Sequence, residues 1–216
     1  MTRQARLGAF TAAPEVSKPL YGVLRAIVDM LHRSTDELIA SGAATAVLKA
    51  GDIAGSLALK DPDGKPVAPA AVVAERALVV SFCRGVWCPY CNWRLRPVEA
   101  ALPSFRELSA NLVAISPQNP ATSGESMRTN KLEFPILVDP GDETVAVFSL
   151  RFALQDYRIE RSAFDGDTSW SLLMPGRFVI GQDRVIRHAE FKPDYTTAPS
   201  PPTRCPPRAG KPLTLS

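Results

Sequence analysis

Residues 77–91 read ALVVSFCRGVWCPYC, an apolar run that leads to two cysteines three positions apart. The first six residues predict a strand buried on both faces, as is usual in parallel sheets. Pro89 suits the first turn of a helix. The residues after it carry apolar side chains at helical spacing: Leu95, Val98, Leu102 and Phe105. The stretch therefore predicts a strand that runs directly into a helix, with Cys88 and Cys91 at the junction.

Further apolar runs predict the rest of the sheet. Residues 112–115 predict the next buried strand, and strand, helix and strand in this order form a parallel βαβ unit. The turn signal at residues 61–64 predicts a hairpin before this unit. Residues 177–180 and 185–191 predict a second hairpin that closes the sheet. We therefore predict an α/β protein with a central mixed sheet flanked by helices.

The two ends of the chain differ in composition from the middle. Apolar residues at helical spacing predict a helical N-terminal extension over residues 1–49, followed by one domain over residues 50–192. Residues 193–216 hold seven of the twenty prolines and little apolar periodicity. Such a segment buries too little surface to offset its ordering entropy, so we predict a disordered tail.

Charge and hydropathy exclude several classes of protein. The net charge of +3 is spread along 216 residues without a basic stripe, so we expect no nucleic-acid partner. No apolar run is long enough to span a bilayer, and the first residues lack the pattern of a secretory signal. We therefore expect no membrane association and a cytoplasmic location.

The chain has four cysteines, and three of them fall within nine residues: Cys83, Cys88 and Cys91. This clustering is typical of a metal or redox site rather than of a disulfide framework. Ligands bind open α/β sheets beyond the carboxyl ends of the strands, which is where the pair Cys88 and Cys91 is predicted. Unpaired N–H groups at the helix start favour a thiolate and lower its pKa. We predict Cys88 as the exposed nucleophile and Cys91, one turn further on, as the more buried resolving thiol.

These residues also allow other interpretations. A Cys-x-x-Cys pair can be half of a zinc site, but zinc takes four ligands and the chain has no second such pair. We therefore predict no metal and no cofactor. Cys83 has a simple interpretation as a small buried residue, and Arg84 as a solvated surface arginine. Trp87 is expected to shield the thiol.

Four segments together carry a family resemblance: residues 82–92, 112–118, 130–137 and 174–181. They are similar to peroxiredoxins of the alkyl hydroperoxide reductase and thiol-specific antioxidant group. The resemblance implies a thioredoxin-like fold and a cysteine that reduces hydroperoxides. It also implies electrons from thioredoxin or from a glutaredoxin and glutathione system. Pro175 resembles the cis-proline that faces the active-site turn in such folds, and we place it with Trp87 and Pro89 in the substrate pocket.

The resemblance has departures that bear on activity. Peroxiredoxins carry Thr or Ser three residues before the peroxidatic cysteine, and Gly85 occupies that position here. The active-site arginine of the family aligns nearer to Pro175 than to Arg177, so Arg177 is assigned by nearness on the same strand. The family usually ends in a helix, whereas this chain ends in the proline-rich tail. The Cys-Pro-Tyr-Cys turn itself resembles glutaredoxins.

A lowered pKa alone explains little of a fast reaction with peroxide. Lowering a cysteine pKa from about 8.5 to about 6 raises the thiolate fraction at neutral pH roughly 30-fold. The less basic sulfur is roughly tenfold slower as a nucleophile, so the net gain is about two- to threefold. Donors that hold the peroxide and stabilise the departing oxygen are also needed. Arg84 and Arg177 are our candidates.

Three functions follow as hypotheses. The first is a thioredoxin-dependent peroxidase that forms a sulfenic acid on Cys88 and then a Cys88–Cys91 disulfide. The second is a glutaredoxin-like thiol–disulfide oxidoreductase. The third is a non-enzymatic redox sensor that uses the disulfide as a switch. The sequence leaves open whether the protein forms a homodimer.

Overall fold

The structure is a computed structural model that describes residues 25–55, 57, 59–67, 76–85, 88–139, 141, 143–153 and 171–194. The helices are α1 (Arg25–Ser41), α2 (Pro89–Ala100), α3 (Leu102–Glu107), α4 (Pro120–Asn130) and α5 (Glu143–Val147), with a 3₁₀ turn at Ala43–Ala46. The first strands are β1 (Leu59–Lys60), β2 (Pro66–Val67), β3 (Ala77–Phe82), β4 (Ala110–Ser116) and β5 (Ile136–Val138). The later strands are β6 (Arg151–Ala153), β7 (Ser171–Leu173), β8 (Gly176–Ile180) and β9 (Ile186–Phe191).

Seven strands form one mixed sheet in the order β2-β1-β5-β4-β3-β8-β9. Strands β3, β4 and β5 are parallel, whereas β1, β8 and β9 pair antiparallel with their neighbours. Both predicted hairpins are present, and the first turns at Gly64, whose φ is 82°. The predicted mixed sheet and βαβ unit are confirmed. Strand β3 lies in the interior of the sheet, which places its carboxyl end next to both β4 and β8.

Alternation along β3 divides its side chains between two core layers. Val79 faces the layer that holds α2 and α3, together with Leu95, Val98 and Phe105. Leu78, Val80 and Phe82 face the opposite layer. That second layer contains an aromatic cluster in which the Phe148 ring centroid lies 5.0 Å from that of Phe82 and 4.8 Å from that of Phe178. The sheet is therefore buried on both faces around β3, as its apolar run predicted.

Phe148→Ala is expected to lower the free energy of unfolding by about 3–5 kcal/mol, because it leaves a cavity at a fully buried ring. Urea unfolding followed by circular dichroism measures the change. Leu108→Ala removes a side chain that is 39% exposed and serves as the control, with an expected change below about 1 kcal/mol. Equal losses in the two variants would contradict the packing described here.

The predicted terminal segments are described only in part. Helix α1 lies within the predicted extension and packs Leu38 into the second core layer, while residues 1–24 lie outside the described residues. The predicted tail lies outside them from residue 195 onward. Within the described ranges, no helix is both long enough and apolar enough to cross a membrane.

Candidate active site

The predicted helix start is confirmed. Strand β3 ends at Phe82, and helix α2 begins at Pro89 with Cys88 as its N-cap. The intervening turn is held by a hydrogen bond from the Cys88 N–H to the Gly85 carbonyl, at 3.2 Å. The Asn92 side chain on α2 donates a hydrogen bond to the Cys88 carbonyl. It also accepts one from the Asn130 side chain, and this bond links α2 to α4. The two cysteines therefore occupy the first turn of a helix at the carboxyl end of β3.

The prediction that Cys88 is exposed is wrong. Cys88 and Cys91 are each only 3% exposed, because both pack into the core layer beneath α2. Burial raises the pKa of the Cys88 thiol well above its usual value, and the neighbouring Cys91 raises it further. The lowered pKa that we expected at Cys88 is therefore also wrong. The helix start supplies a favourable field, but desolvation of this sulfur outweighs it.

The thiol whose pKa is lowered is instead that of Cys91, to about 6. The largest cause is a hydrogen bond from the Cys88 thiol to the Cys91 sulfur; burial opposes it, and Arg94 and Arg84 add favourable positive charge. The Arg84 backbone N–H also donates to the Cys91 sulfur at 3.2 Å. Hydrogen bonds and cations that stabilise the charged form lower a pKa. Cys91 is thus the sulfur that the described groups favour as a thiolate.

Arg84 is a core residue, so its interpretation as a solvated arginine is wrong. It is 2% exposed, and its Nε donates to the Leu173 carbonyl at 3.0 Å. Its guanidinium carbon lies 5.9 Å from the centroid of the Phe152 ring. These contacts fix a cation beside the cysteine turn, where its charge favours the thiolate form of both Cys88 and Cys91.

Arg177 lies on β8 directly opposite Ser81 of β3 and opposite Glu190 of β9. Residues opposite one another in an antiparallel pair share a face of the sheet. Arg177 is buried, and its Nη1 lies 3.9 Å from a carboxylate oxygen of Glu190. The register thus places Arg177 on the face of the sheet that lies under α2, and its guanidinium pairs with Glu190.

A small cavity of about 20 Å³ joins these groups, which is room for a water-sized molecule. Its described lining combines two cysteines and two arginines with neighbouring residues of β3, α2 and β8: Ser81, Phe82, Cys83, Cys91, Arg94, Leu95, Pro175, Gly176 and Arg177. Cys88 is not part of this lining. The cavity therefore presents Cys91, rather than Cys88, to a small ligand.

Arg94 was not predicted. It is buried on α2 three residues after Cys91, lines the cavity, and helps to lower the pKa of that thiol. Helical spacing could have indicated it, because residues three apart on a helix are neighbours. Within the ranges that the structure describes, no three His, Cys, Asp or Glu side chains are arranged to hold a metal ion.

Gly85, where a hydroxyl residue was expected, has a φ of 120°. Residues with a Cβ adopt this conformation only at a cost of about 1–3 kcal/mol. A Cβ there would also overlap the side chain of Gln118, which reaches over from the loop after β4. Gln118 is buried, and its backbone N–H donates to the Ser116 hydroxyl at 3.2 Å. The place of a side chain at residue 85 is therefore taken by the carboxamide of Gln118, which was not predicted as a site residue.

Gly85→Ala is expected to destabilise the fold by more than the backbone cost of about 1–3 kcal/mol, because Gln118 cannot share the space. Gly64→Ala is the matched control, since Gly64 also has a positive φ but would place its Cβ in open space. Urea unfolding of both variants, and of Gly85→Ala combined with Gln118→Ala, measures the overlap. The double variant should recover part of the loss; equal stability of the two single variants would contradict this packing.

The prediction of a cis-proline at residue 175 is wrong. Among the described residues no peptide bond is cis, and the trans form of an X–Pro bond is favoured by about 0.5–1 kcal/mol. Here the Met174 N–H donates to the Leu150 carbonyl and the Pro175 carbonyl accepts from Lys192, so extended backbone continues into β8. Pro175 does line the cavity. Trp87 and the side chain of Pro89 lie outside the described residues.

Comparison with known proteins bears directly on this arrangement. The sequence profile of the AhpC/TSA family matches residues 50–189, which is well over half of the chain. The chain belongs to the AhpC/TSA family. Membership confirms the resemblance seen in the cysteine segment and supports a thiol-dependent, peroxidase-type oxidoreductase in general terms. Comparison with curated proteins finds no match.

Solved structures similar to this AhpC/TSA chain include peroxiredoxins. Peroxidoxin BcpB from Mycobacterium tuberculosis is 20% identical, with a TM-score of 0.56, and the match covers 66% of this chain and 84% of that one. A mutant of the peroxiredoxin 6 of Arenicola marina is 16% identical, with a TM-score of 0.57 and coverage of 71% and 68%. Peroxiredoxin 5 from Alvinella pompejana is 18% identical, with a TM-score of 0.54 and coverage of 68% and 92%. These likenesses confirm the thioredoxin-like fold.

Proposed function

We propose that this protein is a thiol peroxidase that reduces hydrogen peroxide or small organic hydroperoxides. The observation that carries the proposal is one cavity that is lined by Cys91 and by two buried arginines, Arg94 and Arg177. A thiolate supplies the nucleophile, and fixed cations stabilise the negative charge that develops on the departing oxygen. Family membership gives independent support for this class of reaction.

The first step forms the sulfenic acid. The Cys91 thiolate attacks one peroxide oxygen, a sulfur–oxygen bond forms, and the oxygen–oxygen bond breaks. The leaving oxygen takes a proton and departs as water or an alcohol, while sulfur is oxidised to the sulfenic acid. Arg94 and Arg177 are the groups we assign to the leaving oxygen, and the Arg84 N–H holds the attacking sulfur.

The second step closes a disulfide. The Cys88 thiol attacks the Cys91 sulfenic sulfur, and the oxygen leaves as water as the Cys88–Cys91 disulfide forms. Cys88 suits this role because its thiol is already hydrogen-bonded to the Cys91 sulfur. An external dithiol then reduces the disulfide and is itself oxidised. This assignment exchanges the roles that the sequence predicted for Cys88 and Cys91, because the cavity and the hydrogen bonds favour Cys91 as the thiolate.

The reductant in this proposal is thioredoxin, or glutaredoxin with glutathione, in the cytoplasm. The test is peroxide consumption by the full chain with thioredoxin, thioredoxin reductase and NADPH, and separately with glutaredoxin, glutathione and glutathione reductase. Oxidation of NADPH that needs both the protein and the peroxide is the expected result. No turnover in either system, with peroxide consumed no faster than by free cysteine, would contradict the proposal.

The pH dependence of the first step gives a separate prediction. The thiolate reacts and the thiol does not, so the rate should be level above a pH of about 6 and should fall as the pH drops through that value. A free cysteine thiol would instead gain rate up to a pH of about 8.5. Second-order rate constants with hydrogen peroxide across this range measure the profile. A rate that still rises between about pH 7 and 9 would show that the lowered pKa is absent.

A second candidate function is a glutaredoxin-like thiol–disulfide oxidoreductase. The observation in its favour is Gly85, because no hydroxyl at that position can orient a peroxide. The burial of both sulfurs argues against it, since a protein disulfide must reach the attacking thiolate. Fast reduction of a model protein disulfide with negligible peroxide turnover would favour this function. The sensor hypothesis stays a prediction, and whether the protein forms a homodimer stays open.

A further inference from the structure

Cys83 is a third buried thiol, and neither step of the proposed reaction uses it. It follows the last residue of β3, and its N–H donates to the Ile115 carbonyl at 2.9 Å. Its side chain belongs to the core layer under α2, together with Cys88 and Cys91. The odd-numbered positions of β3 continue to Cys83, so the strand itself directs this thiol toward the helix that carries Cys91.

Several contacts place Cys83 close to Cys91. Both residues line the same small cavity. The Arg84 backbone nitrogen, which lies 3.2 Å from the Cys91 sulfur, is only two covalent bonds from the Cys83 Cα. The Cys91 sulfur is therefore within about 6 Å of that Cα. Disulfides join residues whose Cα atoms are about 4.4–6.8 Å apart, and a sulfur within about 6 Å of its partner's Cα is compatible with such a pair.

We propose that Cys83 is a second disulfide partner for Cys91, which acts when Cys88 is not available. In its peroxide-driven form the inference rests on the proposed function, because Cys91 must first become a sulfenic acid. The Cys83 thiol then attacks the Cys91 sulfur, a sulfur–sulfur bond forms, and the oxygen leaves as water with the thiol proton. The product is a Cys83–Cys91 disulfide at the same oxidation level as Cys88–Cys91.

The order of the two partners follows from their surroundings. The Cys88 thiol is hydrogen-bonded to the Cys91 sulfur, so it is placed to react first. Burial raises the pKa of the Cys83 thiol, and nearby Cys91 raises it further, so Cys83 stays protonated. A protonated, buried thiol attacks a sulfenic acid slowly, but its burial protects it from oxidation by other reagents. Its use would be to capture a Cys91 sulfenic acid before a second peroxide converts it to the irreversible sulfinic acid.

The experiment uses the full chain with Cys88→Ser and Cys205→Ser, which leaves Cys83 and Cys91 as the two thiols. Serine is a preferred N-cap, so the start of α2 should be kept at residue 88. Cys88→Ala in the same background is the second variant, and the matched control adds Cys83→Ser. Each protein is oxidised with diamide, an azo compound that takes one hydrogen from each thiol, and separately with hydrogen peroxide in the presence of dimedone. Trypsin cuts after Arg84, between the two cysteines, so mass spectrometry shows a disulfide as two joined peptides.

The expected result is joined peptides with both oxidants, and none in the control with Cys83→Ser. Two free thiols after diamide would overturn the inference, whatever the peroxidase activity. A dimedone adduct on Cys91 with no joined peptides after either oxidant would also overturn it, while the proposed function would stand. Joined peptides with diamide but no reaction with peroxide would support the second disulfide and contradict the proposed function.

Discussion

Cys91→Ser is expected to lower the rate of peroxide reduction about 1000-fold or more, which corresponds to about 4 kcal/mol of transition-state stabilisation. The reason is that Cys91 is the sulfur that lines the arginine-bearing cavity and receives the Arg84 N–H. Stopped-flow mixing of the reduced variant with hydrogen peroxide measures the first turnover directly. The loss should be the same with either reductant, because it precedes the step that a reductant affects.

Cys88→Ser is the matched variant, and in contrast to Cys91→Ser it should keep most of the rate of the first turnover. The first turnover should keep a rate close to that of the wild type, with a moderate loss because the thiol that hydrogen-bonds to Cys91 has become a hydroxyl. Sustained turnover with thioredoxin should be lost, since the Cys88–Cys91 disulfide cannot form. A first turnover that survives Cys91→Ser and is abolished by Cys88→Ser would restore the roles that the sequence predicted.

Arg177→Met is expected to lower the second-order rate constant with peroxide about 10²–10³-fold, the usual loss when one donor to a developing negative charge is removed. Methionine keeps much of the volume and removes the charge from this lining residue of the cavity. Stopped-flow kinetics with hydrogen peroxide and an organic hydroperoxide measure the loss. Arg177→Lys keeps a charge without the planar pair of donors, so an intermediate rate is expected.

The matched control for this variant is Arg187→Met on the neighbouring strand β9. Arg187 is 43% exposed and pairs with Asp183 at the surface, so peroxide reduction should be unchanged. Reduction of the preformed Cys88–Cys91 disulfide by a dithiol should also be unchanged in Arg177→Met, because no oxygen departs in that step. Equal slowing of both half-reactions would indicate structural damage and would contradict a role for Arg177 in oxygen departure.

The fold could be predicted from the sequence because its decisive signals are local. The apolar run of β3, Pro89 at the first turn of α2 and the turn at Gly64 each act within a few residues. Together with the order of the elements, they define a mixed sheet with a βαβ unit. The position of the two cysteines at the carboxyl end of β3 follows from the same signals.

Which of the two cysteines attacks peroxide and which one closes the disulfide could not be predicted in this way. It depends on burial and on groups brought in by distant segments: the Arg84 side chain is anchored by the Leu173 carbonyl, and Arg177 is placed by its register with Ser81. The position of Cys88 at the helix start predicted that it would be the thiolate. The desolvation that raises the pKa of Cys88 arises only in the packed core, so the sequence could not indicate it. The contact between Gln118 and Gly85 is a further example. The two residues lie in loops that are far apart in sequence, so the space that Gln118 occupies beside Gly85 could not be predicted.

The most direct test of the central claim is the second-order rate constant of the reduced wild-type protein with hydrogen peroxide at neutral pH, compared with that of free cysteine. Activation of the thiol alone raises this constant only about two- to threefold. The cavity with Cys91, Arg94 and Arg177 predicts a constant greater by at least a further factor of about 10²–10³. A constant within about threefold of that of free cysteine would contradict the peroxidase assignment.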